Sequence, residues 1–128
     1  MKILEDRLYS KDHEWVSLSE NIARVGVTEY AQDALGEVVF VNLPTVGQIV
    51  VAGSTCGEVE SSKSVSDIYS PLSGSISKAN TRLVELPGLI NSDPYGDGWI
   101  FELKIDSPSA VVGQNLLMAC EYRQLIEG

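Results

Sequence analysis

Thr55-Cys56-Gly57-Glu58-Val59-Glu60-Ser61-Ser62-Lys63-Ser64-Val65-Ser66-Asp67-Ile68-Tyr69 reads as two short strands around a polar turn. Residues 55–60 and 65–69 are rich in Thr, Val, Ile and Tyr, residue types that suit a pleated, half-buried surface. Between them, Ser61, Ser62 and Ser64 surround Lys63 with small side chains that tolerate a tight reversal. The segment therefore predicts a hairpin with Lys63 at its tip, its ammonium turned to solvent with little steric hindrance.

The same alternation of short strands and turns continues outward. Ile22–Val27 alternates, with Ala23, Val25 and Val27 in one phase. Val38-Val39-Phe40-Val41 is a continuous apolar run, expected of a strand covered on both faces. Ile49–Val51, Gly74–Ser77 and Trp99–Ile105 complete the set, with Gly and Pro as punctuation. Thr28–Leu35 predicts a helix, with Thr28 as N-cap, Glu29 in the first turn and Gly36 as the stop. Leu116–Ile126 predicts a C-terminal helix that places Leu117, Tyr122, Leu125 and Ile126 on one stripe. Leu83–Ile90 predicts a further helical turn interrupted by Pro87. The fold class is mainly β with a minor α component, a sandwich or barrel. No linker or low-complexity tract divides residues 1–128, so one domain is expected.

Composition narrows the partners. The chain has 128 residues, 9 Lys plus Arg against 18 Asp plus Glu, and a formal net charge of −9. Nucleic acids and anionic membranes both call for a basic patch, so neither is expected as a partner. No apolar run approaches a membrane span, and the acidic start at Glu5-Asp6 does not resemble a signal or transit peptide. Cys56 and Cys120 stand far apart without C-x-x-C spacing, and read as free, buried thiols in a reducing compartment. A cytoplasmic setting is expected, or a mitochondrial matrix if a presequence has been removed.

Enzyme templates fail. His13 is the only histidine, and one His with two scattered Cys does not make a zinc site. No P-loop, G-x-S-x-G elbow or complete G-x-G-x-x-G is present. Among the five lysines, Lys63 alone falls at a predicted hairpin tip. From position alone, it is an ordinary exposed turn lysine.

The surrounding words change that reading. Gly57-Glu58-Val59-Glu60-Ser61-Ser62-Lys63-Ser64-Val65-Ser66-Asp67-Ile68-Tyr69-Ser70-Pro71-Leu72-Ser73-Gly74 closely resembles the lipoylation segment of the glycine cleavage system H-protein family. His13-Glu14-Trp15, Gly26–Gly36, Phe40-Val41-Asn42-Leu43-Pro44 with Val46-Gly47, and Leu89–Trp99 match the family in order and at similar spacing. The resemblance runs from about Ser10 to Leu125, and its specificity lies in the ordered set rather than in any one word.

The resemblance implies a lipoyl/biotinyl-carrier-like hammerhead β-sandwich that is not itself an enzyme. It implies lipoic acid in amide linkage to Lys63 as N6-lipoyllysine, and a monomer with no metal. The implied partners are the pyridoxal-phosphate glycine decarboxylase (P-protein), the tetrahydrofolate-dependent aminomethyltransferase (T-protein), dihydrolipoamide dehydrogenase (L-protein) and lipoate-attaching enzymes. An aminomethyl group from glycine would pass from the first to the second, and electrons to the third. By the same resemblance, Glu14 and Asp67 belong to the cleft that shelters the loaded arm. Gly47, sixteen residues before Lys63, and Glu60, three before it, assist recognition by the attaching enzyme. Trp15, Trp99 and Tyr95 read as core or corner residues.

Ser62 and Ser64 depart from the Val and Ala common beside the family's lysine, and Thr45 stands where an acid is common. Residues 80–87 fit the family less well than their surroundings. These departures keep open an H-like protein that stores or relays lipoate or serves another lipoyl-dependent pathway. A biotin carrier is disfavoured because both neighbours of Lys63 are serine rather than methionine. An unmodified sandwich that only binds a protein is the remaining alternative.

Overall fold

The computed structural model describes residues 2–106 and 116–127. In chain order the elements are β1 (Leu8–Tyr9), β2 (Glu14–Ser19), β3 (Ile22–Val27), α1 (Glu29–Leu35), β4 (Val38–Asn42), β5 (Ile49–Val50) and β6 (Thr55–Ser61). They continue with β7 (Val65–Tyr69), β8 (Gly74–Ala79), α2 (Arg82–Glu85), α3 (Leu89–Ser92), β9 (Phe101–Lys104) and α4 (Ala119–Glu127). One sheet has six strands in the order β1-β2-β3-β9-β8-β5; the other has three, β4-β6-β7. Every pairing is antiparallel.

The two sheets share one core. Val16, Val25, Ile76 and Leu103 from the larger sheet meet Val41, Val59 and Ile68 from the smaller, all nearly free of solvent. Burying side chains of this size contributes roughly 1.5–3 kcal/mol each, which fixes the strand registers that aim the remaining residues outward. The result is the expected β-sandwich.

Several local expectations meet the structure directly. Thr28 Oγ1 accepts the Ala31 amide at 3.2 Å and caps α1. Gly36 ends that helix at φ +82°, a backbone conformation that L side chains rarely adopt. Pro87 does divide the 82–92 region, leaving α2 and α3 as separate single turns.

Others need correction. Val38–Val41 is not covered on both faces: Val38 and Val41 are buried, whereas Val39 and Phe40 are exposed. A β-bulge between Val38 and Phe40 inserts Val39 and turns two successive apolar side chains outward. The C-terminal helix starts at Ala119 rather than Leu116, because Leu117 exchanges backbone hydrogen bonds with Tyr9. Its buried residues are Ala119 and Tyr122, while Leu125 is exposed. Tyr122 stacks on Tyr9 at 4.7 Å between ring centroids and joins a second cluster with Trp15 and Tyr95. Cys56 is buried as expected, but Cys120 is exposed. Trp15 and Tyr95 are core residues, whereas the half-buried Trp99 carries the Arg24 guanidinium 4.4 Å from its ring. Strand β1 had no counterpart in the sequence reading, and β2 only the expectation of a strand start at His13-Glu14.

Candidate functional site

The turn that carries Lys63 is built by its own serines. The Ser61 amide donates to the Ser64 carbonyl at 2.8 Å, closing a two-residue loop. Ser61 Oγ accepts the amides of Lys63 at 3.2 Å and Ser64 at 3.1 Å. The Ser62 amide donates to the Glu37 carbonyl at 3.0 Å, tying the tip to the end of α1. Buried Ser61 thus holds the backbone while Ser62, Lys63 and Ser64 stay exposed.

Among the described residues, Lys63 forms no ion pair. Its aliphatic stem lies against Gly36, where an added Cβ would come 3.2 Å from Lys63 Cε and 3.6 Å from Nζ. A glycine serves there both for its positive φ and for the room it leaves the lysine.

Beside the hairpin runs a cleft of about 270 Å³, between α1 and the open edge of β7. Tyr30, Ala31, Ala34 and Leu35 form one wall, Val27, Val59 and Ile68 line its apolar interior, and His13 and Glu14 stand at its end. Among the described residues, strand β7 pairs only with β6. The Ser61–Ser64 bond sets the alternation along the ladder, so the backbone groups of Val65, Asp67 and Tyr69 point away from β6, toward the cleft.

Glu14 occupies one of those edge positions. Its Oε2 accepts the Tyr69 amide at 2.8 Å, and its Oε1 accepts the Ser10 hydroxyl at 3.2 Å. The residue is only 3% exposed. Burial pushes its carboxyl up to about 8; the Tyr69 and Ser10 hydrogen bonds pull the other way, and Asp12 adds a smaller push upward. Among the described residues no cation pairs with it. A solvated acid is thereby ruled out: Glu14 is a buried, hydrogen-bonded carboxyl that lacks a counter-charge.

His13, beside it, has φ +67° and is held by Tyr122 Oη, 2.9 Å from Nδ1. The same hydroxyl lies 2.7 Å from Thr28 Oγ1, so the cap of α1, the C-terminal helix and the cleft share one network. Burial lowers the His13 pKa, against an opposing push from Asp12, favouring the neutral ring.

The structure brings Glu14 and Asp67 to one cleft, with exposed Asp67 on its rim; the lining reaches Ser64, so Lys63 stands beside the cleft rather than in its wall. Glu60 is exposed on β6, three residues before Lys63 and across from Val65. Gly47 is not part of that cluster. It forms a turn with φ +95°, and its amide donates to Ile76 of β8 in the other sheet. Ser10, Ser61, Gly36 and Tyr30 were missed by the sequence reading. Ser61 and Gly36 stood inside the quoted motifs and could have been found by asking which group satisfies the turn.

A two-sheet sandwich that offers one lysine on a braced hairpin, next to a cleft, is the architecture of a lipoyl/biotinyl-type carrier domain. Comparison with known proteins is specific. The family model for the glycine cleavage H-protein matches residues 7–128. A glycine cleavage system H protein of Coprothermobacter proteolyticus is 49% identical over 127 residues, covering 98% of each chain. One from Mycobacterium tuberculosis is 50% identical over 116 residues, covering 90% of this chain and 87% of the relative. The crystal structure of a glycine cleavage system H protein from Mycobacterium marinum superposes with a TM-score of 0.89 at 42% identity, covering 98% of this chain and 100% of that one. The chain belongs to the glycine cleavage H-protein family.

Proposed function

We propose that this protein is the lipoyl carrier of a glycine cleavage system, with lipoate attached at Lys63. The observation that carries this reading is an exposed lysine on a braced turn, beside a cleft that ends at a buried carboxyl, with neither group in an ion pair among the described residues. The residues fit the group: the tip leaves Nζ open to solvent, and the apolar cleft has room for an alkyl chain. Lipoate in amide linkage would supply a dithiolane that takes the aminomethyl group of glycine from the decarboxylase to the aminomethyltransferase, and electrons to dihydrolipoamide dehydrogenase.

The chain's own contribution is positional and electrostatic. Ser61 and the Glu37 carbonyl fix the backbone from which Lys63 projects, so that each partner meets it in one place. Glu14 offers a carboxyl at the cleft end, already oriented by Ser10 and Tyr69. A protonated amine brought against it would favour the carboxylate, so that the carboxyl proton leaves to solvent and an ion pair forms. Asp67 adds negative charge at the rim, and the Tyr30–Leu35 wall limits water. Glu60 and Gly47 are assigned to recognition by the attaching enzyme.

Incubation with lipoate, ATP and a lipoate ligase, followed by peptide mass mapping, tests the reading. One lipoyl mass on the peptide containing Lys63, absent from Lys63→Arg, is expected. A lipoyl group that persists in Lys63→Arg would refute it.

A further inference from the structure

The three-stranded sheet has an outer face that its core role does not explain. Phe40, Glu60 and Val65 are direct cross-strand partners on β4, β6 and β7. Their inward neighbours Val41 and Val59 are buried, so this row points out. Phe40 is 54% exposed and Val65 59% exposed. The next row on the same face is Asn42, Glu58 and Asp67. Glu60 on the central strand thus stands between Phe40 and Val65, with Glu58 and Asp67 in the next row, and Val65 is two residues from Lys63.

Resting on the reading that Lys63 is lipoylated, we propose that this face is the docking surface for the lipoate-attaching enzyme. That enzyme would present apolar contacts for Phe40 and Val65, with lysine or arginine against the Glu60 that stands between them.

Reach decides the occupant. Attachment takes place at Nζ itself: the lipoyl carboxylate first attacks the α-phosphorus of ATP, a P–O bond breaks, pyrophosphate leaves and an acyl adenylate forms. Nζ attacks its carbonyl carbon, the amide C–N bond forms, AMP leaves, and the amine's proton goes to solvent. The reacting atom then stands only one side chain above the hairpin, so the enzyme's surface must cover the rows nearest the tip. Enzymes that use the finished arm work at its far end and need no such closeness. Glu58, Glu60 and Asp67 call for a basic surface on the enzyme, since a like-charged one would be repelled. A solvent-facing aromatic such as Phe40 is the residue type on which interfaces concentrate affinity.

The test measures initial lipoylation rates against carrier concentration for wild type, Phe40→Ser, Val65→Ser and Val84→Ser. Val84 is equally exposed but lies on α2. Phe40→Ser and Val65→Ser should each raise KM roughly tenfold with little change in kcat, while Val84→Ser stays at the wild-type value. Lys63→Arg, which cannot accept lipoate, should inhibit lipoylation of wild type competitively, and Lys63→Arg/Phe40→Ser should not. That second arm reads docking without turnover, and melting curves of the variants show that they are folded. Equal KM values across the series, or equal inhibition by the two Lys63→Arg proteins, would overturn the proposal. Failure of wild type to gain any lipoyl mass would instead sink the carrier reading beneath it.

Discussion

Replacing Glu14 by Gln should reshape the dependence of stability on pH. In the folded state the Glu14 carboxyl holds its proton up to about pH 8, whereas its ordinary value is 4.5. Between those values the folded state binds more protons than the unfolded chain, so stability falls as pH rises. At about 1.4 kcal/mol per pH unit, the loss attributable to Glu14 reaches at most roughly 5 kcal/mol, and is complete above pH 8. Gln is close in shape, accepts the Tyr69 amide, donates to Ser10 and never ionises. Urea unfolding of wild type and Glu14→Gln from pH 5 to 8.5 isolates the effect, because every other titrating group is common to both. The difference in unfolding free energy should move by several kcal/mol in favour of Glu14→Gln as pH rises, most steeply between 5 and 8. Parallel curves would show that Glu14 titrates near its ordinary value and would refute the uncompensated burial from which the argument starts.

The same carboxyl should protect the loaded carrier. Aminomethyl-loaded Glu14→Gln should release ammonia and formaldehyde roughly tenfold faster than loaded wild type at neutral pH, as loss of a buried charge-assisted hydrogen bond implies, while the unloaded lipoyl forms match. Glu60→Ala should slow lipoylation, with less than about 0.5 kcal/mol change in stability because its side chain is exposed; the modified fraction over time checks it. Gly36→Ala should lower the melting temperature, by an amount equivalent to about 1–2 kcal/mol, because the residue has φ +82° and its new methyl group crowds the Lys63 stem. A wild-type melting temperature would remove Gly36 from that role.

The parts of this molecule that were legible in sequence are local. The β6–β7 hairpin could be read because its strand and turn residues are adjacent, and α1 because Thr28 and Gly36 mark its ends. The run Val38–Val41 misled because an apolar run does not say which side chains share a face; the bulge at Val39 decides that. Strand β1, only two residues long, is held by pairing with β2 rather than by its own pattern. The helix boundary at Ala119 depends on Tyr9, more than a hundred residues earlier. Glu14 is the sharpest case. Its position in a known motif was visible, but its burial follows from an amide 55 residues downstream at the open edge of β7. No spacing rule reports that a carboxyl lacks a cation.

The two groups at the centre of the site are prepared in opposite ways. Lys63 has a fixed backbone and a free side chain: Ser61 and Glu37 hold the turn, and its ammonium stays hydrated. Glu14 has both backbone and side chain fixed, and its carboxyl is kept from water. A carrier needs this asymmetry, because one end must be handed to other enzymes while the other must recognise a charge and then let it go. A fully paired carboxylate in the cleft would have no vacancy for an amine, and a solvated one would bind it weakly. A buried carboxyl held only by neutral donors can take up a cation strongly when its proton leaves, and can return to the neutral form when the cation departs. In the proposed cycle, release would therefore leave no bare buried charge behind, and the intermediate could be handed on.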